Sequence, residues 1–190
     1  SRRATAVDQR MDRPTIHRLD AATVAQIAAG EVITRPARVV AELLDNALDA
    51  GAERIEIAVD GDGTERIRVA DNGCGLSRTD AERAVERHAT SKLPAETAAD
   101  LTGVSTLGFR GEALAAVADC ATLGIVTNDG EAVGTKLRIE DGDVTVTNAG
   151  RAKGTTVTVT DLFAGRPARR ESLAGQAAEF GRISELVARY

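Results

Sequence analysis

The chain has 190 residues, of which 43% are hydrophobic, so it is long enough for one globular domain with a core of ordinary size. Its formal net charge of −5 excludes a domain that grips nucleic acid over its whole surface, and any DNA contact would need a local basic patch. The two cysteines, Cys74 and Cys120, make neither a disulfide framework nor a zinc motif, and we expect reduced thiols.

The beginning of the chain is polar, and we expect residues 1–13 to form a flexible arm or an expression remnant, with Met11 a possible natural start. A short helix is predicted over residues 21–29, closed by Gly30. No apolar run approaches the ~20 residues of a membrane span, and there is no signal-peptide pattern. These features predict a cytoplasmic protein.

The next predicted helix carries more acidic residues than a plain amphipathic helix needs. Pro36 suits its first turn and Gly51 suits the position just past its end. One face is apolar, and a second stripe beside it holds Glu42, Asp45, Asn46 and Asp49 at helical spacing. A carboxylate followed one turn later by an amide is a compact arrangement for holding a hydrated metal ion and a water.

A predicted hairpin follows, with alternating apolar residues in each strand and a turn over residues 60–63. The hairpin can bring Asp71 beside the acidic helix, where a buried carboxylate could accept a hydrogen bond from an amino group such as adenine N6. The neighbouring glycines, Gly73 and Gly75, would let a flat ring approach the backbone. Taken alone, Asp71-Asn72-Gly73 is better explained as a surface turn.

Ser77 is predicted to cap a helix that runs to about His88. A long glycine-containing segment, residues 89–111, has no clear period and is expected to be functional or mobile. It leads into a short helix over residues 112–118, whose N-terminal N–H groups form a potential anion site. The GxxxxGK[ST] spacing of a Walker loop is absent, and a simple loop-to-helix junction remains an alternative.

Four strands are predicted next, over residues 122–127, 135–140, 144–148 and 155–160, and a final helix over residues 173–188. Strands joined by short turns favour antiparallel pairing, and grouped helices favour a second layer. The predicted fold class is α/β, a two-layer α/β sandwich with helices on one face of a mixed, mostly antiparallel sheet.

Four motifs in this order resemble the nucleotide-binding motifs of the GHKL (Bergerat-type) ATPases. They are Glu42-x-x-x-Asn46-x-x-Asp49-Ala50, Asp71-Asn72-Gly73-Cys74-Gly75, Gly108-Phe109-Arg110-Gly111-Glu112 and Gly154-Thr155-Thr156. Residues 26–32, 87–92 and 108–114 narrow the resemblance to the MutL family of DNA mismatch repair proteins, and it extends over residues 16–190. Residues 164–166 depart from the family's usual sequence, which puts local packing there in doubt.

The resemblance implies a role for each matching residue. Glu42 would be the general base for the attacking water, Asn46 would ligate Mg²⁺, and Asp71 would bind the adenine amino group. Thr155 would support adenine through a water, and Asp45 is expected to be dispensable. The remaining implied ATP-binding residues, in the pocket or the lid, are Asp49, Gly73, Gly75, Thr90, Ser91, Lys92, Gly108, Phe109, Arg110, Gly111, Glu112, Ala113 and Leu114.

The resemblance also implies the domain organisation and the partners. Residues 14–190 would form the ATPase domain, and the transducer and C-terminal dimerisation domains would be absent, which predicts weak hydrolysis. ATP would order the lid and drive N-terminal dimerisation with a second copy. The other implied partners are a MutS-type mismatch recognition protein and DNA, mainly through the absent transducer, with a nucleoid-associated location in a prokaryote.

Two alternatives remain at this stage. The first is a nucleotide-sensing interaction module with negligible catalysis, in which ATP shifts a conformational population. The second is a DNA-binding module that uses the basic cluster Arg166, Arg169 and Arg170. Solvated or carboxylate-paired arginines explain that cluster at least as well, given the net charge.

Overall fold

The computed structural model describes residues 33–86 and 111–190. The helices of this part are α1 (Pro36–Asp49), α2 (Arg78–Val85), α3 (Gly111–Cys120), α4 (Pro167–Glu171) and α5 (Gln176–Val187). Its strands are β1 (Ile55–Asp60), β2 (Arg66–Asp71), β3 (Thr122–Asn128), β4 (Gly134–Glu140), β5 (Asp143–Ala149) and β6 (Gly154–Thr160). None of the helices in these two ranges is long and apolar enough to cross a bilayer.

The strands form one sheet in the order β1-β2-β6-β3-β4-β5. The last strand along the chain, β6, therefore lies between the first hairpin and the β3–β5 meander and joins them. Every strand pair of residues 33–86 and 111–190 is antiparallel. The predicted, mostly antiparallel pairing of the strands is confirmed. The sheet was also expected to be mixed, but no parallel strand pair occurs in this part of the chain.

Helix α1 forms where the sequence predicts it. Pro36 occupies its first turn, and its apolar face is buried against the sheet through residues such as Val39, Leu43 and Ala47. Its end is a Schellman motif, because Ala52 N–H donates to the Ala47 carbonyl and Gly51 N–H to the Leu48 carbonyl. Gly51 has φ +71°, a conformation that glycine adopts without strain.

One face of the sheet carries the apolar core. Alternate residues of β2, β6, β3 and β4 point to this face, and the helices supply the opposing side chains. The core side chains of the central strands are Ile67, Val69, Leu123, Ile125, Leu137, Ile139, Val157 and Val159. The other face carries residues such as Arg68, Thr158 and Arg138, which are half-buried or exposed. The predicted two-layer sandwich is therefore confirmed.

Helices α1 and α5 lie side by side and run in the same direction. Near their first residues, Arg35 Nη1 lies 2.7 Å from Glu179 Oε1, and the Glu179 side chain is fully buried. The same oxygen accepts Ala174 N–H at 2.9 Å, whereas Glu179 Oε2 has no hydrogen-bond partner. Near their last residues, the Tyr190 hydroxyl donates to Asp45 Oδ1 at 2.8 Å. The helix with the acidic stripe is thus attached to α5 at two points.

Two predicted helix boundaries are wrong, and one short helix was not predicted. Helix α2 ends at Val85 rather than near His88, because Glu86 has left the helical conformation with ψ 71°. Helix α5 begins at Gln176 rather than at residue 173, with Gly175 as its N-cap. The short helix α4 was not predicted, although Pro167 at its first turn is a signal for it. The predicted arm (residues 1–13), the predicted helix over residues 21–29 and residues 89–110 lie outside the described residues.

Candidate functional site

The core face of the sheet becomes polar at one end. The strand register places Asp71 of β2 beside Thr155 of β6, Thr155 beside Thr127 of β3, and Thr127 beside Thr135 of β4. One row further in, the same strands contribute Val69, Val157, Ile125 and Leu137 in that order. Because side chains alternate along a strand, both rows point to the helical face. The last row therefore forms a polar floor at the edge of the core.

A hydroxyl network fixes the middle of this floor. The fully buried Thr127 Oγ1 accepts Leu76 N–H at 2.8 Å and lies 3.2 Å from the carbonyl oxygen of Gly154, to which it can donate. It also lies 2.8 Å from Thr155 Oγ1. When Thr127 gives its only proton to Gly154, Thr155 must donate to Thr127, and the Thr155 oxygen then keeps acceptor capacity for another group.

Asp71 is a half-buried carboxylate at the end of the floor. Its Oδ1 accepts Gly73 N–H at 2.8 Å. Burial raises the pKa of the Asp71 carboxyl above its usual value, and the N–H groups of Gly73 and Thr155 and the charge of Arg151 oppose that rise. An ionised carboxylate in this place is a strong acceptor for an amino group that enters the pocket.

The loop after β2 packs against the end of α1, as the sequence predicts. Cys74 N–H donates to the Ala50 carbonyl at 2.8 Å. A Cβ on Gly73 would lie 2.7 Å from Ala50 Cβ, so this close approach requires glycine. Gly75 has φ +70°, and a Cβ there would collide with the Asn128 carbonyl oxygen. Both glycines therefore bring the Asp71 loop against α1 and β3.

Helix α1, which carries the acidic stripe, ends against this loop at Ala50. The carboxylate of Glu42 is mostly buried, and its Oε1 lies 2.7 Å from Arg38 Nη2 one turn earlier. Asn46 is half-buried and Asp49 is exposed. The structure thus places a carboxylate and an amide one turn apart on the helix whose last residues contact the Asp71 loop.

The predicted lid lies largely outside the described residues. This applies to Thr90, Ser91, Lys92, Gly108, Phe109 and Arg110. Gly111 and Glu112 begin α3, and Ala113 and Leu114 have buried side chains, with Leu114 in the core cluster. Any contact of Ala113 or Leu114 with a phosphate must therefore come from the main chain.

Two residues that build the site were not predicted from the sequence. Arg151 donates to the Asp71 carbonyl and to the Thr156 hydroxyl, and Thr127 organises the floor. A threonine in a strand carries no special signal. However, Thr127 occupies the next core-facing position after Leu123 and Ile125, and this alternation is visible in the sequence. Arg151, in a loop between strands, offered no pattern.

Asn72 also has a defined role that the motif did not reveal. Its Oδ1 accepts the N–H groups of Glu53 and Arg54 at 2.9 and 2.8 Å. The same residue donates its own N–H to the Arg54 carbonyl. These hydrogen bonds tie the start of β1 to the end of β2. The Asn72 amide oxygen is therefore directed toward residues 53 and 54 and not toward the pocket floor.

The basic cluster is occupied by contacts within the fold. Arg166 Nη2 donates to the Asp119 carbonyl at 3.3 Å, and Arg169 Nη1 donates to the Ile33 carbonyl at 2.5 Å. Arg170 is exposed. Two of the three arginines therefore donate to main-chain carbonyls, although Arg166, like Arg170, is exposed.

No cluster of three or more His, Cys, Asp or Glu side chains occurs among residues 33–86 and 111–190. These residues therefore do not form a metal site in which three or more His, Cys, Asp or Glu side chains bind the ion. Mg²⁺ commonly takes one or two protein oxygens and completes its shell with water and substrate phosphates. The Asn46 amide oxygen fits that limited role.

A cavity of about 740 Å³ lies at the opposite end of the strands from the polar floor. It is lined by residues of α2, α3 and the β4–β5 hairpin, and includes none of the predicted site residues. A smaller cavity of about 240 Å³ continues the floor past Thr127 and Thr135. Size therefore does not identify the site here, and the register of polar side chains does.

Comparison with known proteins identifies the class. Residues 33–161 match the family model described as histidine kinase-, DNA gyrase B- and HSP90-like ATPase. This range contains α1, the Asp71 loop and the Gly154–Thr155 segment. The chain therefore belongs to this ATPase family.

Within the family, the chain is similar to MutL. It is 50% identical over 178 residues to the DNA mismatch repair protein MutL of Halobacterium salinarum, covering 92% of this chain and 27% of that protein. It is 51% identical over 176 residues to MutL of Heliobacterium modesticaldum, covering 90% and 26%. The chain thus spans about a quarter of the length of these relatives.

A solved structure gives the same relationship. The Aquifex aeolicus MutL ATPase domain complexed with ADP aligns with a TM-score of 0.65 and 28% identity, covering 82% of this chain and 54% of that one. The resemblance to MutL stated from the motifs is confirmed, as is the fold class.

Proposed function

We propose that the chain binds ATP together with Mg²⁺ and hydrolyses it slowly, as the ATPase part of a MutL-like mismatch repair protein. The observation that carries this proposal is the convergence of the Asp71 loop and the acidic helix. Cys74 N–H donates to the Ala50 carbonyl, and Gly73 packs against Ala50 at the end of α1. These contacts support one site that includes Asp71 and the Glu42–Asn46 pair. Similarity to an ADP-complexed relative supports the choice of ligand.

The polar floor suits the base. Asp71 accepts a hydrogen bond from the adenine amino group, and Thr155 uses its remaining acceptor capacity on a water that contacts the ring. Gly73 lies beside Asp71, where a side chain would crowd its Oδ1 atom. Guanine bound in the same orientation would present a carbonyl oxygen at C6 instead of the amino group, so two acceptors would face each other. The floor therefore favours adenine over guanine.

The helix suits the chemistry. The Asn46 amide oxygen would hold Mg²⁺, which when bound would neutralise charge on the phosphates. Glu42 accepts the proton of the attacking water, and Arg38 fixes the rotamer of that carboxylate through the 2.7 Å contact. Phosphoryl transfer depends mainly on positioning and charge, so a rigid helix with few polar groups is sufficient.

The wider biology follows from the same relatives. We propose that ATP orders the lid segment that precedes α3, residues 89–110, and favours dimerisation with a second copy through the N-terminal arm. In the whole protein, this switch would act with a MutS-type mismatch recognition protein and with DNA, in the cytoplasm next to the nucleoid. The support is the similarity to DNA mismatch repair proteins named MutL.

Two variants test the assignment. Glu42→Ala is expected to keep ATP binding and lose turnover, because it removes the base but not the base pocket. Asp71→Asn is expected to abolish ATP binding, since the amide presents a donor where the adenine amino group also donates. Isothermal titration with Mg-ATP and a phosphate-release assay give the two readouts.

A matched control is Asp45→Asn, which changes an exposed acid on the same helix. Turnover by Glu42→Ala at the parent rate would show that another group is the base. Normal nucleotide affinity in Asp71→Asn would show that adenine binds elsewhere. A single-turnover assay with excess protein separates slow catalysis from the alternative of a nucleotide sensor, in which no phosphate is released.

A further inference from the structure

Arg151 joins the ends of three strands under the polar floor. It lies in the loop between β5 and β6, and its Nη2 donates to the Asp71 carbonyl at 3.0 Å. Its Nε and Nη2 both reach Thr156 Oγ1, at 3.2 and 3.0 Å, and its Nη1 donates to the Ala152 carbonyl at 2.8 Å. Four hydrogen bonds therefore hold one guanidinium in a single orientation.

The surrounding backbone is shaped for this side chain. Gly154 has φ +131°, and a Cβ there would collide with the Asp71 carbonyl oxygen and lie 2.8 Å from Arg151 Nη1. The Arg151 carbonyl is itself held by Asn128 Nδ2 at 2.8 Å. Arg151 is thus fixed both through its side chain and through its main chain, at the junction of β2, β3 and β6.

Alternation along β6 places the guanidinium on the face opposite the pocket. Thr155 points to the floor, so Thr156, to which Arg151 donates, points away from it. Arg151 therefore cannot contact a ligand on the floor. It acts through the Asp71 main chain, which it holds in register with Thr155.

Arg151 is also the charged neighbour of Asp71. The strand partners of Asp71 are Ile55 on β1 and Thr155 on β6, and the residue of α1 that meets the Asp71 loop at Gly73 is Ala50; none of the three is charged. The Arg151 charge lowers the pKa of the Asp71 carboxyl against the effect of burial, and Arg68 on β2 is the other charge acting on Arg151. Loss of the Arg151 charge therefore raises the pKa of Asp71.

We propose that Arg151 is a positioning residue for base recognition, which fixes the backbone of Asp71 against β6 and sets a positive charge beside it. This inference rests on the proposed role of Asp71 in binding adenine. It goes beyond that role because it assigns the pocket a support from the opposite face of the sheet.

The test measures ADP affinity by titration calorimetry in the whole chain, from pH 5 to pH 8, for Arg151→Gln and Arg151→Lys. Arg151→Gln removes the charge and the fork, so we expect affinity to fall about tenfold at pH 7.5. The pH at which binding is half lost should also move upward. Arg151→Lys keeps the charge but not the fork, so its affinity should fall at every pH with the midpoint unchanged.

Arg138→Gln is the control, since Arg138 is an exposed strand arginine that pairs with Glu140 away from the floor. The ¹³C shift of the Asp71 carboxyl gives a second readout without nucleotide, and its midpoint should rise in Arg151→Gln alone. A uniform loss of affinity in Arg151→Gln with an unmoved ¹³C midpoint would overturn the inference and leave a purely structural role.

Failure of the inference and failure of the proposed function give different results. If Asp71→Asn loses ADP binding while Arg151→Gln matches the parent in affinity and midpoint, only the role of Arg151 is wrong. If Asp71→Asn binds ADP normally, the adenine assignment fails. A raised ¹³C midpoint in Arg151→Gln would then still show that the Arg151 charge acts on the Asp71 carboxyl.

Discussion

The Thr127 hydroxyl offers a direct test of the polar floor, because Thr127→Val removes it with almost no change in shape. In the parent, this oxygen accepts Leu76 N–H and contacts the Gly154 carbonyl and Thr155 Oγ1. Valine can make none of these hydrogen bonds. Because Thr127 is fully buried, water cannot take the place of its hydroxyl.

The size of the effect follows from these contacts. A buried donor left without an acceptor costs about 1–3 kcal/mol, and a net hydrogen bond contributes about 1 kcal/mol. Leu76 is only partly buried, so water offsets some of the loss. We expect Thr127→Val to lower the free energy of unfolding by about 2 kcal/mol, which for a chain of this length shifts Tm by about 6 °C.

Urea denaturation followed by circular dichroism measures this difference, with Thr145→Val as the matched control. Thr145 is exposed on the edge strand β5, where the same substitution should change stability by less than about 0.5 kcal/mol. Thr127→Ser keeps the hydroxyl and should recover most of the loss that the network causes. If Thr127→Val is as stable as Thr145→Val, the network contributes nothing and the reasoning is wrong.

Three further predictions concern other parts of the site and its support. At pH 8 without nucleotide, Asp71→Asn should unfold at the same or a higher temperature than the parent. Burial raises the pKa of Asp71, so its charge opposes folding at high pH, and the Tm gap should close as the pH falls. A larger parent Tm at pH 8 would contradict this. Gly75→Ala should cost about 2 kcal/mol or more, because both φ and the neighbouring carbonyl exclude a Cβ, and it should exceed Gly130→Ala, where only φ is unfavourable. Equal losses in urea would remove the steric argument. Arg35→Gln should cost about 2–4 kcal/mol, since it leaves the buried Glu179 carboxylate without its cation, and Glu179→Gln in the same chain should restore part of it. If Arg35→Gln alone is as stable as the parent, the Arg35–Glu179 pair contributes no net stability.

The sequence predicted the elements well where a local signal exists. The apolar spacing of α1, its Gly51 end and the Ser77 cap of α2 are all local, and all are present. The start of α5 was missed because Leu173 and Ala174 are compatible with a helix, and only Gly175 indicates the later start.

The site was only partly predictable, for a physical reason. Asp71, Gly73 and Gly75 are close in sequence and form a recognisable motif, whereas the floor is made by one residue from each of several strands. Its formation depends on the placement of β6 between β2 and β3, which no local pattern indicates. Thr127 and Arg151 are therefore visible only once the register is known.

The two attachments between α1 and α5 have a mechanical consequence. Arg35 and Asp45 are ten positions apart, which corresponds to ~15 Å along a helix axis. A helix held at two such points cannot slide along its neighbour or rotate against it unless one of the two contacts breaks. Any displacement of Glu42 and Asn46 that leaves both contacts intact is therefore also a displacement of α5. A spectroscopic distance between labels on the two helices would stay constant through such a movement, while distances from either helix to the sheet would change.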